Sequence, residues 1–281
     1  MKYEKLLRNK DIPLNDIICK IKMPPFLYKY QSFYSSDGSE NIHWKENISG
    51  AFHLSLAREF EDPNDCKPAI NKNNIFKKNF DLNSTECMKQ NLYVNSVVSN
   101  YRKYIRIGCF TTSHDNSAMW IKYGDCFRGF CIEYDTLKNN LFKYCTLPIC
   151  YSNSPFDITS SIYHLAELEG FKEKCKLSDE EMIARFPDDY EKIIKQSTVP
   201  IFIKKPRWKF EHEYRMFLLK HRMTPIGQLE ANKILDLNYN INLSEAITGI
   251  YFGKNFKHDK NYNNFIKEIL TFVPTEKLHF L

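Results

Sequence analysis

The chain has 281 residues, 43% hydrophobic and 15% aromatic, which supplies a sizeable core and excludes a disordered composition. Forty Lys and Arg against 34 Asp and Glu leave a net charge of +6, mildly basic, which permits a polyanionic partner without requiring one. With only nine glycines and no GxGxxG or GxxxxGK[ST] string, a Rossmann fingerprint and a P-loop are excluded.

The opening "MKYEKLLRNKDIPLND" has no apolar h-region, and no run approaches the ~18 apolar residues of a membrane span. The expectation is a cytoplasmic protein with no membrane part. Its nine cysteines are then reduced and read as small buried residues. Neither Cys126 with Cys131 nor Cys145 with Cys150 has zinc-knuckle spacing.

Residues 26–31, "FLYKYQ", follow Pro24-Pro25 and predict a strand on which Lys29 faces away from Tyr28 and Tyr30. "GAFHLSL", 50–56, alternates and predicts a strand carrying Ser55. "EFEDPND", 59–65, is turn chemistry: Asp62 and Asp65 either cap the turn or hold a metal or a cationic partner. Capping-box-like spacing from Asn83 to Glu86 predicts a helix running to about Tyr104. A strand at 105–111 precedes a short helix at 115–124, stopped by Gly124, on which Met119, Trp120 and Tyr123 lie close. Another strand follows at 129–135. Residues from about 157 to 203 predict helix in two pieces, the second capped at 178–181 and interrupted by Pro187.

The segment "FEHEYRMFLL", 210–219, predicts a strand. Its period of two puts Glu211, Glu213 and Arg215 on one face, and Phe210, His212, Tyr214 and Met216 on the other. Like charges on one face need compensation, so Arg215 is expected to pair with Glu213, leaving Glu211 for chemistry. A buried strand at 246–253 and a helix through "NYNNFIKEILTF" complete the chain. The fold class is α+β: a single mixed-sheet domain over 1–281 with a helical insertion at about 155–203.

Five blocks in order, "LYKY", "FEDPND", "CFTTSHDNSAMWIKYGDCFRGFCIEYD", "KKPRWKFEHEYRMF" and "ITGIYFG", resemble the bacterial domain-of-unknown-function family numbered 2971, over roughly residues 26–253. The chain departs from that pattern at Glu61, where Asn is usual, at Asn64, where Phe is usual, and at Lys122, where His is usual. The family name implies no activity.

Three functions are weighed from the residues. The first is an ADP-ribosyltransferase-like enzyme. Those enzymes carry a cationic or His residue on an early strand, a Ser or Tyr on the next and a Glu on a late one. Lys29 or Tyr30, then Ser55, then Glu211 or Glu213 occur in that order. Glu211 and Glu213 are the catalytic candidates, because cleaving the nicotinamide bond builds positive charge on the ribose and a fixed carboxylate favours it. NAD is then the substrate, met by Lys29, Tyr30, Ser55, Asp65, Trp120, Tyr123 and Arg215. The expected role is that of a bacterial toxin or antiphage defence effector acting on a nucleic acid or protein target. The second function is a metal-dependent nuclease using Asp62, Asp65, Glu211 and Glu213, with Lys205 at the leaving group. The third is a non-catalytic nucleotide-binding or scaffold domain. On any of them, the polar residues of Lys29, Ser55, Asp65, Tyr123 and Glu211 are expected to line one cleft.

Overall fold

The structure, a computed structural model, describes residues 2–71, 85–103, 105–219 and 240–281. Its strands are β1 (Phe26–Gln31), β2 (Ala51–His53), β3 (Ser55–Leu56), β4 (Ile105–Phe110), β5 (Phe130–Asp135), β6 (Thr146–Pro148), β7 (Cys150–Tyr151), β8 (Ile203–Lys204), β9 (Tyr214–Leu219), β10 (Asn240–Asn242), β11 (Ile247–Phe252) and β12 (Leu278–Phe280). Its helices are α1 (Tyr3–Arg8), α2 (Leu14–Lys20), α3 (Trp44–Ser49), α4 (Thr85–Asn100), α5 (Ser117–Lys122), α6 (Asn140–Cys145), α7 (Thr159–Cys175), α8 (Asp179–Arg185), α9 (Pro187–Thr198) and α10 (Tyr262–Ile269). The fold is α+β, as the interspersed strand and helix patterns predict. Among the described residues no helix is long and apolar enough to cross a membrane.

The chain divides into two compact units. The first comprises Met1–Lys20, Leu56–Ile105 and Cys150–Pro206. Its helical part fills the stretch predicted as an insertion, in three pieces rather than two. The Ser178 hydroxyl accepts from Glu181 N–H, and the Glu181 carboxylate accepts from Ser178 N–H, which starts α8. Pro187 sits in the first turn of α9, where its missing N–H costs nothing, so it opens a new helix instead of kinking the old one. Leu168, Met182 and Ile193 from the three helices bury together, with Phe171, Phe186 and Tyr190 against them. Strands β7 and β8 of this unit form a short parallel pair. Asn83, the predicted cap of α4, lies outside the described residues.

The second unit comprises Ile21–Ser55, Arg106–Ile149 and Arg207–Leu281. One four-stranded sheet runs in the order β1-β5-β11-β12, antiparallel except for β11 with β12. Another runs β3-β4-β9-β6, and apart from Leu56 and Ile105 its strands belong to this unit. The two sheets join where Tyr28 and Thr111 exchange backbone hydrogen bonds, each 2.8 Å. A core of Leu27, Phe52, Phe110, Phe130, Ile132 and Tyr134, with apolar residues of α3 and α10, packs on the sheets. Gly108 keeps room for this core: a Cβ there would come 2.5 Å from the Phe52 ring.

Two strand predictions are corrected. "GAFHLSL" is not one strand, because the chain changes partner at Leu54: β2 pairs with β10, whereas β3 joins the β4 sheet. The late strand begins at Tyr214, not Phe210. Residues 206–211 wind into a 3-10 turn after Pro206, and His212 adopts φ 44°, the left-handed region. That turn breaks the period of two, so Glu211 does not share a strand face with Glu213 and Arg215.

Candidate functional site

The site grows from the turn that replaces the predicted strand start. Beyond His212 the chain re-enters the sheet, and Ile149 N–H donates to Glu213 O at 2.9 Å. Arg215, one residue into β9, is fully buried and reaches back to Glu213. Its Nε donates to Oε1 at 2.7 Å and its Nη2 to Oε2 at 3.3 Å. The pairing predicted from spacing is therefore present, in a two-pronged geometry that suits guanidinium and carboxylate.

Helix α5 supplies the other wall. Asn116 is its cap: Oδ1 accepts from Ala118 N–H at 3.0 Å and Met119 N–H at 3.3 Å. The same side chain donates through Nδ2 to Phe210 O at 2.6 Å, which ties the start of α5 to the 206–211 turn. The Tyr30 hydroxyl accepts from Asn116 N–H at 3.2 Å and donates to Ser113 O at 3.1 Å. Trp120 is buried, its ring edge-on to Tyr30 at 4.9 Å and its Nε1 donating to His114 O at 2.8 Å. At the end of the helix the Tyr123 hydroxyl donates to Glu211 Oε1 at 2.6 Å. Burial, reinforced by the negative charge of Glu211, pushes the Tyr123 phenol well above its ordinary value, so it stays a donor.

Lys29 comes from the core-facing side of β1. Its ammonium donates to Cys109 O at 3.4 Å and stands 4.9 Å from the centre of the Phe52 ring. Burial lowers its pKa, and the charges of Cys109 and Glu213 partly offset that. Two acids, Glu211 and Glu213, and two cations, Lys29 and Arg215, thus occur together in one unit, with formal charges that balance.

The remaining predicted residues are Ser55 and Asp65. Ser55 is half-buried on β3, separated from β9 by β4. Asp65 belongs to the first unit, where its carboxylate stands 3.8 Å from the Lys204 ammonium. Of the five residues expected to share a cleft, Tyr123 and Glu211 touch, Lys29 lies in the field of Glu213, and Asp65 lines a pocket within its own unit. Of the four nuclease carboxylates, Asp62 and Asp65 belong to the first unit and Glu211 and Glu213 to the second. Among the described residues no group of three or more His, Cys, Asp or Glu is placed to hold a metal ion. Lys122, the departure from the usual His, lies with its ammonium 4.9 Å from the Trp208 ring.

One polar cluster escapes the sequence reading. Glu133 on β5 accepts from Thr248 Oγ1 at 2.8 Å, Tyr28 at 3.0 Å and Tyr251 at 3.1 Å. His114 stacks on Tyr251 at 4.0 Å, and Tyr251 on His279 at 4.6 Å. The signal was a glutamate inside the otherwise apolar "GFCIEYD" strand; its partners come from distant segments and left no local pattern.

Residues 119–216 match the family described as "Protein of unknown function (DUF2971)". This stretch is similar to that family. The DUF2971 stretch contains Trp120, Tyr123, Glu211, Glu213 and Arg215, hence both contacts that define the site. It takes in two of the five quoted blocks, most of the "MWIKYG" block and the "WKFEHEYR" block, with Lys29 and Ser55 outside it. No curated protein and no solved structure matches the chain.

Proposed function

We propose that the second unit is an ADP-ribosyltransferase-like enzyme that uses NAD as substrate and Glu211 as its catalytic carboxylate. The observation that carries this reading is the Tyr123–Glu211 hydrogen bond of 2.6 Å beside the closed Glu213–Arg215 pair. Of two neighbouring glutamates, Glu213 is bound by a buried arginine and Glu211 accepts from a neutral phenol, a contact of the kind a sugar hydroxyl also makes. An amine, a phenol and a carboxylate form a donor and acceptor set suited to a ribose. Trp120 and Arg215, both buried, hold α5 and Glu213 in place.

In this reaction the bond between the ribose C1′ and the nicotinamide nitrogen breaks, and its electron pair leaves with nicotinamide. Positive charge builds on the ribose, where the Glu211 carboxylate favours it. Water or a target hydroxyl then attacks C1′ and gives up its proton. The biological counterpart of the proposal is a toxin or defence effector acting on a nucleic acid or protein target in a bacterial cytoplasm.

A second reading, a non-catalytic nucleotide-binding or scaffold domain, is favoured by burial: Glu211, Glu213 and Arg215 are all nearly inaccessible. Incubation of the pure protein with NAD, with and without EDTA, separates the two. The enzyme releases nicotinamide at a rate indifferent to EDTA and slows the growth of an expressing host. A thermal shift with nucleotide but no turnover supports the scaffold instead.

A further inference from the structure

The first unit holds a concavity that the proposed chemistry does not use. A pocket of about 340 Å³ opens among the 62–69 turn, the loop after β7 and residues 200–205 around β8. This is the small end of the ~300–1,000 Å³ range of ligand sites, which suits one nucleotide rather than two.

Its walls are fixed by the main chain. Ala69 N–H donates to Phe156 O at 3.0 Å, Ile158 N–H to Ala69 O at 3.1 Å and Ser152 N–H to Lys204 O at 2.9 Å. Asp62 Oδ1 accepts from Asn64 N–H at 2.9 Å and sets the turn. Arg8 braces the loop, donating to Ser152 Oγ at 3.2 Å. Three chain segments far apart in sequence are thereby held around one space.

The lining is two-sided. Phe156, Pro68, Pro200 and Ile203 give an apolar wall. The charged residues are three lysines against two aspartates. Asp65 and Lys204 stand 3.8 Å apart and nearly buried, so their charges largely cancel. Lys67 and Lys205 are exposed, which leaves the accessible part of the lining cationic.

We propose that this pocket binds a small phosphorylated metabolite of mononucleotide size. Lys67 and Lys205 hold the phosphate, and the ring or sugar lies against Phe156 and the prolines. Every residue of this site belongs to the first unit, and it needs none of the NAD chemistry.

Isothermal titration of the full chain with AMP, inorganic phosphate and adenosine tests this. AMP binds the wild type, and adenosine, which lacks the phosphate, binds roughly tenfold or more weakly. The double variant Lys67→Ala/Lys205→Ala, with unchanged melting temperature because both side chains are exposed, loses roughly tenfold or more in AMP affinity. Nicotinamide release from NAD by the wild type is read out separately, so its absence defeats the NAD reading and leaves the AMP result standing. Absence of AMP binding at millimolar concentration, equal affinity for adenosine, or undiminished binding by the double variant overturns the proposal.

Discussion

Glu211 and Glu213 are separated by one residue and differ in what holds them. Arg215 is completely buried and its two-pronged contact is with Glu213. Glu213→Gln leaves a buried guanidinium facing a neutral amide, and breaking such a pair costs about 3–5 kcal/mol. Glu211→Gln keeps an amide oxygen that can accept from Tyr123, so its cost stays under about 2 kcal/mol. Urea unfolding of the two variants gives the order directly. Tyr123→Phe removes a donor from a buried carboxylate and is expected to cost about 1–3 kcal/mol by the same measurement. The Glu213–Arg215 pair was legible from a spacing of two, because that spacing survives at the edge of a strand. The Tyr123–Glu211 contact was not legible, since 88 residues separate its members and no local pattern encodes it.

Elements whose signal is local were read closely. β1, β4, β5 and β11 fall where alternation and apolar runs placed them, and the α8 cap is the one its Ser-Asp-Glu-Glu string announces. The misses have tertiary causes: a partner switch at Leu54, and the left-handed turn at His212 after a proline. Packing between elements makes two predictions. Gly108→Ala would press a methyl group against Phe52 and Leu54, 2.5 Å and 3.0 Å away, and overpacking of this kind costs about 1–3 kcal/mol in thermal or urea unfolding. Lys195 on α9 is buried with its ammonium donating to Asn9 O, and burial lowers its pKa from 10.5 to about 8. The unfolded chain then binds its proton more tightly than the folded one. The penalty is complete below pH 8, and stability gains from this group as pH rises from about 8 to 10.5. Lys195→Met is expected to flatten that rise in urea unfolding series at pH 8, 9 and 10; an identical slope in both proteins contradicts the assignment.

For the whole molecule, the strand and helix patterns carried the α+β class, while the two compact units come from contacts that interleave three chain segments each. No composition shift marks those boundaries, so Asp65 could not be assigned to a different unit from Glu211 by sequence alone. The consequence is two separately testable sites: an acid and phenol pair within the DUF2971 stretch, and a lysine-rimmed pocket in the first unit.

The most direct test of the central claim is nicotinamide release from NAD by the wild type, Glu211→Gln and Glu213→Gln, each with its melting temperature. The account predicts turnover by the wild type, a folded Glu211→Gln protein at least ~100-fold slower, as expected when a group stabilising transition-state charge is lost, and a Glu213→Gln protein whose main defect is a lower melting temperature. A wild type that releases no nicotinamide, or a Glu211→Gln protein as active as the wild type, contradicts it.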